Sequence, residues 1–381
     1  MSTQDFLRRM PEASQALRRP TSLLLRLHID LPLLLLLILL TAYGLIVLYS
    51  ASGGDSHYVT RQSVFIVVAY ISMFTLAQVP VALLQRWAPW FYLGGIVMLV
   101  LVLFFGTGAK GAQRWLSIGG FRFQPSEALK LAVPITIAAY LAKRRLPPRM
   151  KHVLITLTMI AIPTVLIMKQ PDLGTSLLIA ASGLIVLFFA GLRWRYIGGA
   201  VALLVAAAWP MWQFVLHGYQ KRRILTLLNP EEDKLGAGWN IIQSKTAIGS
   251  GGVEGKGWLQ GTQSQLDFLP ESHTDFIIAV LAEEFGLFGV LLLLGLYVLI
   301  IGRGLMIGLN AQDTFSRLLA GGLTLTFFVY VFVNIGMVTG LLPVVGVPLP
   351  LVSHGGTSIV TLMTGFGMLM AISTARRRVT I

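Results

Sequence analysis

The chain contains no cysteine, and only 12% of its 381 residues are charged. The absence of cysteine excludes disulfides, thiolate metal ligands and a cysteine nucleophile. Soluble globular domains average about 25% charged residues, so this chain has too few charges to cover a surface that faces water. Because 55% of its residues are hydrophobic, lipid is the expected solvent for most of its surface.

Acidic residues are scarce as well: 16 Asp and Glu stand against 30 Lys and Arg, which gives a net charge of +14. Such a balance can indicate nucleic-acid binding. Here, however, the basic residues lie in short clusters between apolar runs, the pattern that sets membrane topology. We therefore predict no nucleic-acid partner, and we take attraction to lipid headgroups as the alternative use of these charges.

Ten apolar segments approach the length of about 20 residues that a membrane-spanning helix needs. They are residues 31–50, 62–80, 89–106, 126–142, 153–168, 173–191, 197–215, 276–301, 318–340 and 355–375. Lipid offers no hydrogen-bond partner to the backbone, so isolated spans must be helical. The sequence thus predicts an all-α integral membrane protein with about ten transmembrane helices, the first of them too long to be a cleaved signal peptide.

The positions of Lys and Arg predict the orientation. Most of them lie in the N-terminal tail, in the connections after the second, fourth, sixth and eighth spans, and in the C-terminal tail. Since cytoplasmic loops are enriched in Lys and Arg, both termini are predicted to be cytoplasmic. One long extracytoplasmic loop, residues 216–275, then joins spans seven and eight. We divide the chain into a cytoplasmic tail, 1–26, and a membrane domain, 27–378.

Several carboxylates lie within predicted spans or at their outer ends, where an ionisable group is costly and is a functional candidate by default. Glu127 and Lys130 are three residues apart, so they share one helix face. They form either a structural ion pair or part of a substrate site. Asp172 follows a tight turn, where it caps a helix or faces the same outer cavity as Glu127.

Asp275 is predicted to lie in the first turn of the eighth span, at the outer interface, where the helix dipole favours an anion. A carboxylate that is reachable by a sugar hydroxyl yet half surrounded by apolar groups meets the conditions for a general base. A purely helix-terminal charge is the alternative. Glu283 and Glu284 lie about two turns deeper and are expected to pair within the bundle.

The outer connections contain three further patterns. Trp239–Ile248 has the spacing of a short amphipathic helix,. The glycine-rich run Gly249–Trp258 either brings backbone amides close to an anionic oxygen or is a flexible linker. It is not a nucleotide P-loop, because Gly257 follows Lys256 where Ser or Thr is needed. Prolines and glycines in the apolar residues 340–358 predict a re-entrant or extended segment buried in protein.

Together these segments resemble the SEDS family of bacterial cell-wall proteins (shape, elongation, division and sporulation) over residues 27–378. The blocks that carry the resemblance are Phe123–Glu127 with Lys130, Ser272–Glu284, and Pro348–Gly356. Leu342–Pro348 and Gln243–Gly252 have the form of the elongation-type (RodA) branch rather than the division-type (FtsW) branch. One residue departs from the family pattern, His354, where the family usually has tyrosine.

The resemblance implies an inverting peptidoglycan glycosyltransferase of the bacterial cytoplasmic (inner) membrane. It would polymerise lipid II, the undecaprenyl-pyrophosphate-linked disaccharide pentapeptide, at the outer membrane face during cell elongation. Asp275 matches the family's essential aspartate and is the expected catalytic base. The expected substrate-binding residues are Glu127, Lys130, Asp172, Arg114, Lys245 and Ser353. A basic side chain or a divalent cation, Mg²⁺ or Mn²⁺, would stabilise the pyrophosphate, and no organic cofactor is expected.

The resemblance also implies partners: a class B penicillin-binding protein, which crosslinks the strands, and other membrane proteins of the elongation complex. We predict that the partner's membrane helix binds a groove of small and apolar side chains near Phe288–Leu291, Gly321 and Gly322. The alternatives are a lipid II flippase, a division-type enzyme and a scaffold. Carboxylates clustered toward the outer face favour an enzyme over a transporter, whose charged groups lie near mid-membrane.

Overall fold

The computed structural model describes residues 27–109, 112–118, 121–215, 218–233, 236–265 and 271–375. Within these ranges, eight helices are long and apolar enough to cross a membrane, and Leu173–Phe189 is a shorter apolar helix. The predicted all-α membrane architecture is confirmed. Every predicted span coincides with a helix, although helix ends differ by several residues and the eighth continues to Asn310.

The helices, in chain order, are α1 (Leu31–Ala51), α2 (Ser56–Ala77), α3 (Val81–Phe105), α4 (Pro125–Ala142), α5 (Met150–Lys169), α6 (Leu173–Phe189), α7 (Trp194–Pro210), α8 (Gly218–Leu228), α9 (Ala237–Gly251), α10 (Thr262–Gln265), α11 (Ile277–Asn310), α12 (Thr314–Val338) and α13 (Gly356–Ser373). A π-helical turn, Met211–Val215, continues α7, and a 3-10 turn, Pro230–Asp233, follows α8. Three of the membrane helices begin at an aspartate whose carboxylate accepts a backbone N–H of the first turn: Asp30, Asp55 and Asp313. Such caps satisfy amides that a helix start leaves without partners.

A small antiparallel sheet lies between α3 and α4, which the sequence did not predict. Its strands are β1 (Thr107–Ala109), β2 (Ala112–Ile118) and β3 (Phe121–Phe123), in the order β1-β2-β3. Strands this short carry little periodicity, so sequence patterns rarely reveal them. The sheet leads directly into Pro125, the first residue of α4, whose fixed φ suits a helix start,.

Helix α4 is buried in the middle of the bundle, between α3, α6, α12 and α13. Its neighbours shield it from lipid, so it can carry Glu127 and Lys130 in place of apolar residues. Helix α13 also packs along α2. Gly367 allows the two helices to approach closely, because a Cβ there would overlap the backbone of Met73.

The glycine pair of α12 faces the inside of the bundle. A Cβ at Gly321 would lie 2.9 Å from the ring of Phe189, and one at Gly322 would lie 2.5 Å from Val186, both on α6. The predicted partner groove is therefore wrong at these two positions, since α6 already covers them. Phe288 and Leu291 of α11, in contrast, are exposed.

Helix α11 is broken at Gly286, whose backbone is left-handed (φ 61°). The first arm, Ile277–Phe285, is almost entirely buried. The glycine-rich strap, which we define as residues 252–257, docks on the break: Lys256 N–H and Gly257 N–H donate to the carbonyls of Glu283 and Glu284 at 3.0 Å. These amides are thus used inside the protein and are not free to hold an anionic oxygen. The strap is neither an anion-binding loop nor a loose linker.

The connection between α12 and α13 is the re-entrant segment, residues 340–355. Its Pro350 carbonyl accepts a 2.7 Å hydrogen bond from the hydroxyl of Tyr297. Tyr297 lies eleven residues beyond the break of α11 at Gly286, about 16 Å along the helix,. Gly44 of α1 packs directly on Val352, because a Cβ on Gly44 would lie 2.9 Å from its Cα. The segment therefore dips deep between helices while remaining non-helical, as the sequence predicts.

Helix α9 is the short amphipathic helix predicted from the sequence. Ile241, Ser244 and Ala247 are buried along one face, whereas Lys245 and Thr246 are exposed on the other. The Ser244 hydroxyl donates to the Val338 carbonyl at 2.8 Å, which ties α9 to the end of α12.

Candidate functional site

Asp275 belongs to a tight turn, residues 271–276, which we call the Asp275 turn. Glu271 starts it in the left-handed region (φ 58°), and its carbonyl accepts the N–H groups of Thr274 and Phe276. Helix α11 begins only at Ile277. Asp275 therefore lies just ahead of the helix. The prediction that it lies in the first turn is wrong.

The carboxylate of Asp275 has no hydrogen bond or ion pair to another residue in the described part of the chain. Its Oδ2 faces Gly346, where a Cβ would lie 3.5 Å away. Burial, together with the negative charge of Glu271, raises the pKa of Asp275 to about 6. A carboxylate with this pKa is ionised at neutral pH and is a stronger base than an ordinary aspartate.

Backbone and hydroxyl contacts join the Asp275 turn to the re-entrant segment. The Ser353 hydroxyl donates to the Thr274 carbonyl and accepts the N–H of Leu349 at 2.9 Å. His354 N–H donates to the His273 carbonyl at 2.9 Å. Because the buried hydroxyl of Ser353 is engaged inside the protein, Ser353 is placed to hold the turn, while direct contact with substrate stays a prediction.

Glu127 and Lys130 form a buried ion pair. Lys130 Nζ lies 2.6 Å from Glu127 Oε1, and the two residues are 9% and 6% exposed. The ring of Tyr330 from α12 lies 5.2 Å from the ammonium group. The pair lines a pocket between α4, α12 and α13. The i,i+3 spacing thus correctly predicts the pairing, whereas a role in binding substrate stays a prediction.

Asp172 caps α6 and also meets the β-sheet. Its Oδ1 accepts Thr175 N–H at 3.2 Å, and its Oδ2 lies 3.8 Å from Arg114 Nη1 and 3.4 Å from Gln124 Nε2. Arg114 also donates to the Pro171 carbonyl at 2.7 Å. The structure therefore unites Asp172 and Arg114, two predicted site residues that lie far apart in sequence.

The re-entrant segment forms a wall shared by these groups and Asp275. Gly346 faces the Asp275 carboxylate, while Val347 packs with Tyr330 and lies against Gly174 at the start of α6. Tyr330 in turn interacts electrostatically with Lys130, Glu127 and Asp172. Gly346 and Val347, two consecutive residues of the re-entrant segment, thus connect the base candidate with the surroundings of the buried ion pair.

Lys245 lies apart from this group. It is exposed on α9, and its ammonium group lies over Gly340 at the end of α12. Within the described residues it forms no hydrogen bond or ion pair, so its charge is available to a ligand. Its predicted role in substrate binding is not decided by these contacts.

Two buried side chains that hold the re-entrant segment were missed by the sequence reasoning. Asn334 of α12 contacts the Asp275 turn, and Gln62 of α2 donates to the Ser353 carbonyl at 3.0 Å. Each is an amide inside an otherwise apolar span, and that signal could have found them, because polar side chains in membrane helices usually bond across helices.

The described residues include no group of three or more His, Asp or Glu side chains placed to hold a metal ion. The expected divalent cation therefore stays a prediction, and these residues would leave most of its ligands to the substrate. Mg²⁺ commonly binds in this way, through phosphate oxygens, waters and one or two carboxylates.

Taken together, the fold and the site define a multi-pass membrane protein with a partly buried carboxylate at one end of its helix bundle, and this carboxylate has no side-chain partner among the described residues. Residues 31–378 match the FtsW/RodA/SpoVE family model, described as cell cycle protein. The chain belongs to this family, and the SEDS resemblance is confirmed.

Individual relatives agree with this assignment. The chain is 55% identical over 352 residues to peptidoglycan glycosyltransferase MrdB of Escherichia coli (strain K12), covering 92% of this chain and 95% of that one. It matches a chain of a peptidoglycan synthase complex that coordinates polymerization and crosslinking, with a TM-score of 0.81, 30% identity and coverage of 92% and 98%. The crystal structure of the rod shape determining protein RodA of Thermus thermophilus matches with a TM-score of 0.70, 28% identity and the same coverage. The elongation-type (RodA) assignment is therefore confirmed.

Proposed function

We propose that the chain is a peptidoglycan glycosyltransferase of the elongation type, which polymerises lipid II into glycan strands. The observation that carries the proposal for the site is the Asp275 carboxylate, which is partly buried and has no partner in the described structure. Its surroundings raise the pKa of this carboxylate to about 6. The family membership and the 55% identity to a glycosyltransferase support the reaction class.

The reaction needs one base and a way to stabilise a pyrophosphate. In our mechanism Asp275 accepts the proton of the acceptor sugar 4-hydroxyl while that oxygen attacks the anomeric carbon of the donor. The bond between the anomeric carbon and the pyrophosphate oxygen breaks with inversion. The pyrophosphate is already a good leaving group, so no general acid is required. Its negative charge must be met by cationic groups.

The cationic groups in this mechanism are Lys130, which lines the pocket between α4, α12 and α13, and Arg114 of β2. Lys130 is held ready by Glu127, and Arg114 by Asp172. A carboxylate thus holds each cationic side chain in position before the substrate binds. Lys245 supplies a further, unpaired charge at the edge. Mg²⁺ or Mn²⁺ bound to the pyrophosphate oxygens would neutralise the same charge.

We also propose that the Asp275 end of the bundle faces away from the cytoplasm and that both termini are cytoplasmic. The basic connections, such as the one between α4 and α5, lie at the opposite helix ends from Asp275. By the positive-inside rule those ends are cytoplasmic. Lipid II polymerisation would then take place at the outer membrane face, where the product is needed.

A class B penicillin-binding protein is the proposed partner, together with other elongation-complex proteins. The structural relative described above comes from a complex that couples polymerization to crosslinking. On this chain, Phe288 and Leu291 of α11 are exposed near the Asp275 end. A single membrane helix of the partner would pack there, beside the exposed face of α11 rather than at the buried glycines of α12.

Polymerisation of purified lipid II by the full-length protein with its partner tests the proposal. Asp275→Asn keeps the size of the side chain and removes the base, so we expect no glycan polymer. Asp55→Asn is the matched control, because Asp55 is an exposed cap of α2 and asparagine caps equally well. Normal polymer from Asp275→Asn would refute the base assignment. Lipid II movement across vesicles without polymer from the wild type would favour a flippase.

A further inference from the structure

Asn334 connects two segments that meet at the candidate base. It lies on α12, four residues before the last residue of the helix, and is fully buried. Its side-chain Nδ2 donates to the Asp275 carbonyl at 2.9 Å and to the Val347 carbonyl at 2.7 Å. Both N–H groups of one amide thus hold two stretches of chain that are far apart in sequence.

These two bonds matter because the Asp275 carboxylate has no side-chain partner of its own among the described residues. Its position is set by the backbone of the Asp275 turn alone. Asn334 fixes that backbone at residue 275 itself. Through Val347 it also fixes Gly346, the residue that faces the carboxylate. Ser353 and His354 join the same two segments at Thr274 and His273, but the Asn334 amide is the contact at residue 275 itself.

Packing alone does not explain an amide at this position. Its Oδ1 is buried and has no hydrogen-bond partner in the described structure, and an unsatisfied buried oxygen is unfavourable. Leucine would fill a similar volume in an apolar span without that cost. The two donated bonds are what asparagine adds.

Gln62 offers an internal comparison. It also clamps the re-entrant segment, donating to the Ser353 carbonyl at 3.0 Å and accepting Gly355 N–H at 3.3 Å. It too is buried in a membrane helix. It contacts the segment at Ser353 and Gly355, however, and has no bond to residue 275. A change at Gln62 should loosen the segment without acting directly on the base.

We propose that Asn334 is a positioning residue for the reaction: by bonding the backbone of Asp275 and of Val347 it holds the base at its working distance from Gly346. The inference rests on the proposed function, in which Asp275 accepts the proton. Asn334 itself does not touch the substrate. A small displacement of a catalytic group lowers the rate strongly, since a shift of about 1 Å can reduce the rate by about 100-fold.

The proposal predicts a kinetic and a titration signature for Asn334→Leu. The turnover number kcat should fall at least tenfold, while KM for lipid II stays within about twofold. Water should reach the loosened carboxylate, so the acid limb of the pH–rate profile should move from about pH 6 toward the ordinary aspartate value of 3.8. The other titratable groups around Asp275 are Glu271 and His273 of its own turn, His354 of the re-entrant segment and Tyr330 of α12. None of them bonds to Asn334 in the described structure, so the substitution leaves them in place.

The experiment compares Asn334→Leu, Asn334→Asp and Gln62→Leu in the full-length protein with its partner. Polymerisation is measured from pH 5 to 8, and hydrogen–deuterium exchange of residues 271–276 is measured without substrate. An ionised aspartate side chain has no hydrogen to donate, so Asn334→Asp should also have a lower kcat and a more exposed turn. It replaces Asn334→Leu in the comparison if the leucine variant does not fold. Gln62→Leu should lower the thermal midpoint and leave the acid limb close to wild type. It should speed the exchange of the turn less than Asn334→Leu does, because Gln62 reaches the turn only through Ser353.

The inference is overturned if Asn334→Leu keeps wild-type kcat and acid limb, or if Gln62→Leu shifts the limb equally. Full activity in Asp275→Asn would instead refute the base assignment. Faster exchange of residues 271–276 in Asn334→Leu than in Gln62→Leu would still establish the clamp, and equal exchange would refute it.

Discussion

Two groups of carboxylates lie within ten residues of each other, and their surroundings are opposite. Glu283 is fully buried, and its Oε1 meets Lys256 Nζ at 2.7 Å and Gln263 N–H at 3.0 Å. Glu284 accepts a 2.5 Å hydrogen bond from Ser50. Asp275, just ahead of the same helix, has no such partner in the described structure. The bonded carboxylates hold the glycine-rich strap and α1 to the break in α11, whereas Asp275 is the residue that we propose as the base.

The comparison teaches that a carboxylate near a helix start is not by itself a catalytic signal. The hydrogen bonds differ: Glu283 and Glu284 each have one oxygen bound to side chains of other segments, whereas the Asp275 carboxylate has no such bond in the described structure. A carboxylate of the second kind with a raised pKa is a candidate for a functional site. Glu127 stands between the two cases, because it is paired with Lys130 but lines a pocket.

The largest expected effect separates Asp275 from the bonded carboxylates. Asp275→Asn should lower the polymerisation rate by about 100- to 10,000-fold, the usual contribution of a general base. Glu284→Gln keeps its bond to Ser50, so its rate should fall by less than tenfold. Rates at saturating lipid II, compared at equal amounts of folded protein, measure both. Equal losses in the two variants would abolish the distinction.

The next effect concerns the ion pair of α4. Glu127→Ala leaves the ammonium group of Lys130 buried without its partner, which should cost about 3–5 kcal/mol of stability and also lower activity. The loss of stability is measured by heating the purified protein to a series of temperatures and determining the fraction that remains folded by size-exclusion chromatography. The double variant Glu127→Gln with Lys130→Met removes both charges and should recover most of the stability while remaining inactive. A stable, active Glu127→Ala would show that the pair is dispensable.

A smaller loss is expected at the strap. Lys256→Ala leaves Glu283 with hydrogen bonds from Thr262 and Gln263 only. Because Lys256 is partly exposed, we expect the free energy of unfolding to fall by about 2–3 kcal/mol, which is less than the loss for a fully buried pair. Glu254→Ala, an exposed residue of the same strap, is the control and should change the thermal midpoint little. If both variants melt alike, the strap is not held by this pair.

The smallest expected effect is a difference in stability between wild type and Asp275→Asn that depends on pH. The folded pKa of Asp275 is raised from 3.8 to about 6, so its ionisation opposes folding. This cost is absent below about pH 4, grows between pH 4 and 6, and is complete above pH 6. Asp275→Asn removes it. The inactive variant should therefore be more stable than wild type at pH 7.5, by on the order of 1–2 kcal/mol. Equal thermal midpoints at pH 7.5 would mean that Asp275 is well hydrated.

Much of the fold could be predicted from sequence because the bilayer imposes strong rules. Apolar segments of sufficient length become helices, and proline-rich apolar segments must be buried in protein. The i,i+3 spacing of Glu127 and Lys130 was likewise enough to predict their contact. The β-strands before α4, the break at Gly286 and the inward direction of Gly321 and Gly322 were not predictable in this way. Each depends on which neighbour covers a residue, and periodicity does not contain that information.

The sequence by itself determined the solvent, the helices and the inventory of charged groups, because hydropathy and charge act locally along the chain. The tertiary structure decided how each group is used. It paired Glu283 with Lys256 and placed Asp172 at the cap of α6 beside Arg114. Among the residues that the structure describes, it gave the Asp275 carboxylate no side-chain partner. It also placed Asn334 beneath the Asp275 turn. Hydrogen bonds between distant segments exist only once the helices have packed, so the difference between a structural and a reactive carboxylate arises at that stage.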